Sequence, residues 1–485
     1  MTAVADFRDP FAGDYVRMFE ALPPFVPPGN DEREQREWVE ATGRAMLGAD
    51  DDEATVLAEP DHRSLPAGYT YFGQFVAHDL TFLTGGRGGT TPGGLRNRRT
   101  PRLDLDSVYG QGPHCEPIYY DRRRPAMFGI GGKSDPLLAE RSPAPLDDDL
   151  PRRSSGLAIV PDPRNDENVM VGQIHLAFLK AHNRFVRELA DASPATATGN
   201  PIALWNRARR AVEWHYQWAV VHDYLPRILD RPRQTWLAKA LELHAALVRH
   251  GAGAFEVPAL ARLPAEFVLA VFRFGHALVR PGYALNQIVL RPRRLTPRTW
   301  RAPPDSHLTG FGPLARHWTI DWRFFFDVDV PGGAALPAGL RVRLPQPARR
   351  IDGTVTGQLG RLPDVVGGGA LPVLTIAAGV RNRLPGGVAV ARALQRLDKS
   401  IALTASAAER PLWCYVLDEA REHGGGYTLG PVASTITARV FFDILTGMPD
   451  SYINVDPDWK PELGPHGRPF TIADLLLHGW PAPAA

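Results

Sequence analysis

The stretch GQFVAHDLTF, Gly73 to Phe82, decides how the rest of the chain is read. It sets Gln74, His78 and Asp79 among apolar neighbours. Gln74 and His78 are four residues apart, so on a helix they share one face. Asp79 is turned about a third of the way round from His78. A helix with an amide and an imidazole on one side and a carboxylate on the next can serve two sites. The first reads as a pocket for small-molecule chemistry, the second as a hard-cation site. The plain alternative is a hydrogen-bonded core histidine, and only the company elsewhere in the chain weighs against it.

The chain has 485 residues, which allows two or three domains or one large one. Hydrophobic residues make up 44% and charged residues 22%, the composition of a soluble globular protein. Basic and acidic side chains nearly cancel, 55 against 53, for a net charge of +2. That excludes a nucleic-acid or membrane-surface role driven by bulk charge. The run Arg122, Arg123, Arg124 reads as a solvated face or loop anchor. Cys115 and Cys414 are the two cysteines, and no CxxC pair exists. This excludes a disulfide framework, a cysteine zinc site and an iron–sulfur cluster. The opening MTAVADFRDPFAGDY has neither a basic region nor an apolar run of signal-peptide type. No run of about 18 apolar residues occurs, so no membrane span is expected and the cytoplasm is the expected location. Glycines and prolines gather at Gly85–Gly94, Pro331–Gly339, Gly367–Gly369 and Gly424–Gly426. These read as irregular connections, because no GxxxxGK[ST] or strand–GxGxxG–helix pattern accompanies them.

Residues 1–60 read as an N-terminal arm with one helix, Asp31 to Leu47, capped by Asn30. RRTPRLDLDSVYG, Arg98 to Gly110, places Thr100, Asp104 and Asp106 at even spacing around Arg102. On an extended loop these point the same way and make an oxygen-rich cradle for calcium, with a solvated acidic turn as the plain alternative. Residues 111–160 read as a Pro- and Arg-rich connection. Asp162 to Leu189 is strongly helical in period, with Pro163 at its entrance and Arg164 and Glu167 on one side of the first turn. An arginine gains nothing from the dipole there, so it is held for another purpose. His175 and His182 read as packed or hydrogen-bonded rather than as metal ligands. Trp205 to Leu229 predicts a second long helix ended by Pro226, its aromatic stripe most simply core. Glu266 to Tyr283 is the most apolar helical stretch and carries Arg273 and His276. Burying both is costly without partners, and ligation of a haem iron would satisfy the histidine. WTIDWRFFF, from Trp318, predicts an apolar helix or support element. Leu371 to Leu394 predicts helix, Pro-Gly break, helix. Two amphipathic helices around a glycine loop follow, and the tail from Pro449 is expected along the surface. No internal repeat is found and strand signals are few, so residues 61–485 read as one mainly α-helical domain.

In order, GQFVAHD, TPRLDLDSVYG, DPRNDEN, HNRFVREL, FRFGHALV and LPGGVAVARAL resemble the animal-type haem peroxidases of the peroxidase–cyclooxygenase superfamily, in a compact bacterial form. The resemblance runs from about Leu65 to Trp480. It implies a myeloperoxidase-like helical fold with few short strands, holding haem b and Ca2+. It implies His78 as the distal acid/base, Arg164 as the distal cation and Gln74 as holder of a distal water or small anion. His276 is implied as the iron ligand, with Arg273 matching the peroxidase branch. Asp79, Thr100, the Arg102 carbonyl, Asp104 and Asp106 match the family's calcium site. Ala77 stands where mammalian members have a carboxylate, so one of two haem–ester links is unavailable. Glu167 matches the other, and Asn168 after it rules out a methionine sulfonium link. The motif supporting the proximal side aligns with Leu374, Thr375 and Ala378. Thr375 is a poorer acceptor for the proximal imidazole than an asparagine, and Ala378 cannot hold a propionate.

The expected activity is haem-dependent reduction of hydrogen peroxide with oxidation of a small organic or halide donor through a ferryl intermediate. The alternative is an oxidase or dioxygenase tailoring a dedicated lipid or secondary metabolite. Fatty-acid dioxygenases of the superfamily place a tyrosine where this chain has Arg273. A non-catalytic haem or calcium scaffold is the remaining reading, against which the His78–Arg164 pair counts.

Overall fold

The computed structural model describes residues 15–48, 61–84, 96–131, 149–193, 200–250, 262–297, 306–315, 317–328, 343–362, 368–406, 408–464 and 467–480. The expected glycine loops at 85–94 and 331–339, and the outer parts of the N-terminal arm, lie outside these residues. Helices dominate, and the sheets among the described residues are two-stranded. The mainly α architecture expected from the helical periods is borne out.

The first helix, α1 (Glu32–Ala45), is capped by Asp31, one residue later than the sequence reading, with its carboxylate accepting from Glu34 N. It packs against α8 (Leu371–Arg381). Strand β1 (Asp61–Pro66) pairs antiparallel with β2 (Pro347–Arg349) and leads into α2 (Gly68–Leu80). This helix carries Gln74, His78 and Asp79 and is buried on nearly every side, as an all-round apolar helix must be. Gly73 lets the Tyr224 hydroxyl lie against it, for a Cβ there would meet that oxygen. A short helix, α3 (Asp106–Tyr109), follows a bend at Leu105, whose φ of 56° is left-handed. The loop before it is thus folded, not extended as the even spacing of its carboxylates implied.

Helix α4 (Val169–Ala192) is preceded by a separate 3-10 turn, Pro163–Asp166, so the long helix expected from Asp162 starts late. Asn168 caps α4, its Oδ1 accepting from Val171 N at 2.9 Å. Gly310 fits against the turn, where a Cβ would strike the Asp166 carbonyl. Helix α5 (Pro201–Trp218) runs through a π-helical segment, Ala219–Tyr224, into a last turn ending at Ile228. Helix α6 (Arg231–Arg249) follows. The stretch expected as one apolar helix over 266–283 is instead α7 (Ala265–Leu269), a kink at Ala270 and a 3-10 segment, Val271–Leu278. Its uniform apolarity set burial, not helical period, and packing chose the tighter winding. WTIDWRFFF supplies only a 3-10 turn, Trp322–Phe324.

The expected helix–break–helix is present as α8 and α9 (Gly387–Leu397). Helices α10 (Leu412–Gly424) and α11 (Pro431–Gly447) flank the glycine loop. The tail does more than coat the surface. Tyr452 and Ile453 are buried, and α12 (Ile472–His478) packs on α4. Helix α2 packs against both α4 and the 3-10 segment, and that junction frames the site.

Candidate active site

A cavity of about 480 Å³ lies between α2, the Pro163–Asp166 turn and the 3-10 segment. Gln74, His78, Arg164, Glu167, Arg273 and His276 all line it, from three separate stretches. Phe82, Phe267, Phe272, Val279 and Leu295 supply apolar wall. Its size and mixed lining suit a small-molecule or cofactor site.

On the α2 side, His78 Nδ1 lies 2.9 Å from Asn165 Oδ1. Its Nε2 lies 3.7 Å from Glu167 Oε1. Burial, then the Arg164 charge, pushes the imidazole down to about 3, so it is neutral at ordinary pH. Gln74 donates to Glu167 through Nε2 and accepts from Asn168 Nδ2 at 3.2 Å. Burial lifts the Glu167 carboxyl to about 7 against the pull of Arg164. Arg164 is clamped by Asp162, at 3.0 Å from Nε and 2.7 Å from Nη2, and its Nη2 donates to the His78 carbonyl at 3.0 Å. The guanidinium sits 4.4 Å over the Phe82 ring. Although burial opposes it, Arg164 holds the Asp162 carboxyl down to about 2.

His276 lines the same cavity from the 3-10 segment. Its Nδ1 is buried and has no hydrogen-bond partner among the described residues. Burial, then Arg273, pushes this imidazole down to about 3. Arg273 donates to the Val268 carbonyl at 3.3 Å, and burial lowers it to about 10. Trp413 packs edge-on to His276 and donates to the Arg273 carbonyl at 3.2 Å. Thr375 is not part of this group. It lines a different small pocket and donates to Leu371 O in its own helix at 2.9 Å, and among the described residues His276 Nδ1 has no hydrogen bond to it. That corrects the expected proximal support. The sequence spacing matched, but a threonine within a helix bonds the carbonyl four residues back.

Asp79, which does not line the cavity, meets Asp104 and Asp106, with ligand oxygens all within 4.8 Å. The bend at Leu105 makes this convergence. Thr100 Oγ1 donates to Asp104 at 2.8 Å, and its backbone N–H donates to Asp106 at 3.0 Å. The Arg102 side chain turns away to an ion pair with Asp450. Burial and the neighbouring carboxylates push Asp79 well up and Asp106 to about 7. Three carboxylates that repel at close range are a donor set suited to a hard cation.

His175 and His182 are hydrogen-bonded as read, to Asn165 and to Tyr109 and the Ala126 carbonyl. The sequence reading missed Asp162 and Asn165. Both lie beside Arg164 in DPRNDEN, and that adjacency was the available signal.

A helical fold thus brings two histidines from distant stretches to one cavity, and similarity to known proteins bears on what that cavity is for. The family model described as animal haem peroxidase matches residues 85–300. Lactoperoxidase of Mesocricetus auratus is 28% identical over 240 residues, 45% of this chain and 31% of its own. Peroxidase A from Dictyostelium discoideum has a similar structure, TM-score 0.62 at 15% identity, over 96% of this chain and 92% of that one. Fatty acid alpha-dioxygenase of Arabidopsis thaliana gives a TM-score of 0.58 at 14% identity, over 95% and 76%. The chain is thus similar to animal haem peroxidases over residues 85–300, in line with the resemblance that its motifs carry. Its matches span less than a third of the length of the first curated relatives, 12%, 31% and 22%. Among the described residues, no helix is long and apolar enough to cross a membrane.

Proposed function

We propose that this protein is a haem-dependent peroxidase that reduces hydrogen peroxide while oxidising a small organic or halide donor. One observation carries the reading: a single cavity gathers His78, Arg164 and His276 from three distant stretches. The residues fit a haem. The walls are largely apolar, two imidazoles from different elements line the space, and two guanidinium groups border it. His276 would ligate the iron, and Arg273 would meet the macrocycle's edge or a carboxylate. Bound haem would supply the redox-active iron.

The chain's own groups do the rest. His78, neutral, takes a proton from the near oxygen of peroxide at its cavity-facing Nε2 and returns it to the far one. Arg164, held still by Asp162, stabilises the charge that gathers on the departing oxygen. Gln74 orders a water or small anion beside them. Glu167, the matching carboxylate, is the residue that would form one ester link to haem b. Asp79, Thr100, the Arg102 carbonyl, Asp104 and Asp106 would hold Ca2+, tying the ion to the helix that carries His78. Residues 61–485 form the peroxidase domain on this reading, with 1–60 as an arm.

The test is peroxide consumption by the haem-loaded protein with a phenolic or halide donor, beside His78→Ala. Turnover that the substitution abolishes supports the reading. No turnover, or turnover indifferent to His78, overturns it. Oxygen uptake with a fatty acid and no peroxide would favour the dioxygenase alternative. Haem that survives acid–acetone extraction in the wild type but not in Glu167→Gln would support the ester.

A further inference from the structure

Asn165 is fully buried, on the turn between Arg164 and Asp166, and its side chain meets three partners. Its Oδ1 is 2.9 Å from His78 Nδ1. Its Nδ2 is 3.0 Å from His175 Nδ1 and 3.4 Å from the Ser107 carbonyl. These contacts leave one consistent set of protons. A carbonyl oxygen only accepts, so the amide atom facing Ser107 must be the NH2 group. The amide oxygen then faces His78, and it too only accepts. His78 Nδ1 must therefore carry a hydrogen. A neutral imidazole has one N–H, so Nε2 is bare, and Nε2 is the nitrogen on the Glu167 side of the ring, where the cavity lies.

We infer that Asn165 is a positioning residue that holds His78 in the tautomer whose Nε2 lone pair faces the cavity. The inference rests on the peroxidase reading only for its consequence, since the tautomer belongs to the protein alone. A base must present a lone pair, not an N–H, to the proton it takes. Without a fixed acceptor at Nδ1, the ring could carry its hydrogen on either nitrogen and turn about its bonds. Asn165 closes both options, and the Ser107 carbonyl in turn fixes the amide's orientation. The turn that supplies Arg164 thus also aims His78, so cation and base are set by neighbouring residues.

The experiment is nitrogen NMR on protein labelled with 15N-histidine, with His78 assigned by its loss in His78→Gln. It needs no haem. The expected result is a protonated Nδ1 and a bare Nε2 in the wild type. Asn165→Leu, with similar volume and no acceptor, is expected to lose that state. Asn165→Asp, which keeps an acceptor, is expected to retain the Nδ1 hydrogen, and it guards against misfolding of the leucine variant. A wild-type Nε2–H, or an unchanged Asn165→Leu, overturns the inference. In the haem-loaded protein, cyanide association should slow about 10–100-fold in Asn165→Leu and much less in Asn165→Asp. An unaltered rate in Asn165→Leu would remove the positioning role while leaving the peroxidase reading intact. Failure to take up haem would sink that reading and leave the NMR result to stand by itself.

Discussion

On the α2 side of the cavity, each polar group is tied to a polar partner. His78 has Asn165, Arg164 has Asp162, and Gln74 lies between Glu167 and Asn168. From the 3-10 segment, His276 stands with its Nδ1 unpartnered among the described residues, and Arg273 donates to a backbone carbonyl. One wall is aimed by hydrogen bonds, the other by packing against Trp413 and its neighbours. Groups that move protons need exact direction within the protein, because misdirection by an ångström is costly. A group that ligates a metal takes its final direction from the bond itself.

The contrast can be broken in several ways. The largest effect is expected at His78. His78→Ala should slow the reaction with peroxide about 10²–10⁴-fold while haem uptake stays normal, by stopped-flow and absorption titration. Arg164→Leu should cost about 10²–10³-fold on the same measure, and a smaller loss would mean that Asp162 holds it for structure alone. The Asp79, Asp104, Asp106 cluster should bind Ca2+. At 100 times its Kd, the ion should stabilise the protein by about 2.7 kcal/mol in thermal unfolding, and Asp104→Asn should abolish most of the gain.

Acid should act away from both walls, through buried histidines of α4 and α5. Burial lowers His182 and His215 to about 4, from about 6.5 when unfolded. Between those values the unfolded chain binds more protons than the folded one. Their contribution is therefore present above pH 6.5 and lost as pH falls through 4, which denaturant titrations from pH 7 to 4 would follow. The smallest effect is expected at Thr375. Its hydroxyl bonds its own helix, so Thr375→Val should shift stability by about 1 kcal/mol or less and leave the haem spectrum unaltered. A changed spectrum would restore Thr375 to the proximal side.

What the sequence revealed follows the same division. Gln74 with His78, and Arg164 with Glu167, are close in sequence, so helical spacing exposed them. Asn165 and His78 lie 87 positions apart, and no local pattern announces their meeting. His276 was legible because an imidazole stands out in apolar surroundings. Its backbone was not, because a stretch apolar on every face carries no period to distinguish α from 3-10 winding. The carboxylate cluster was found by composition but for the wrong local reason. The left-handed bend at Leu105, not extended spacing, joins Asp104 and Asp106 to Asp79. Thr375 was expected to accept from the proximal imidazole, but alignment to a motif does not fix a side chain's reach, and His276 Nδ1 has no partner among the described residues.

The central claim is that His276 ligates a haem iron facing His78 across one cavity. Its most direct test is the absorption spectrum of haem-loaded His276→Gly with and without added imidazole. The account predicts weakened haem retention and an altered spectrum, both restored by imidazole entering the vacated place. A variant that holds haem with the wild-type spectrum and ignores imidazole would contradict it.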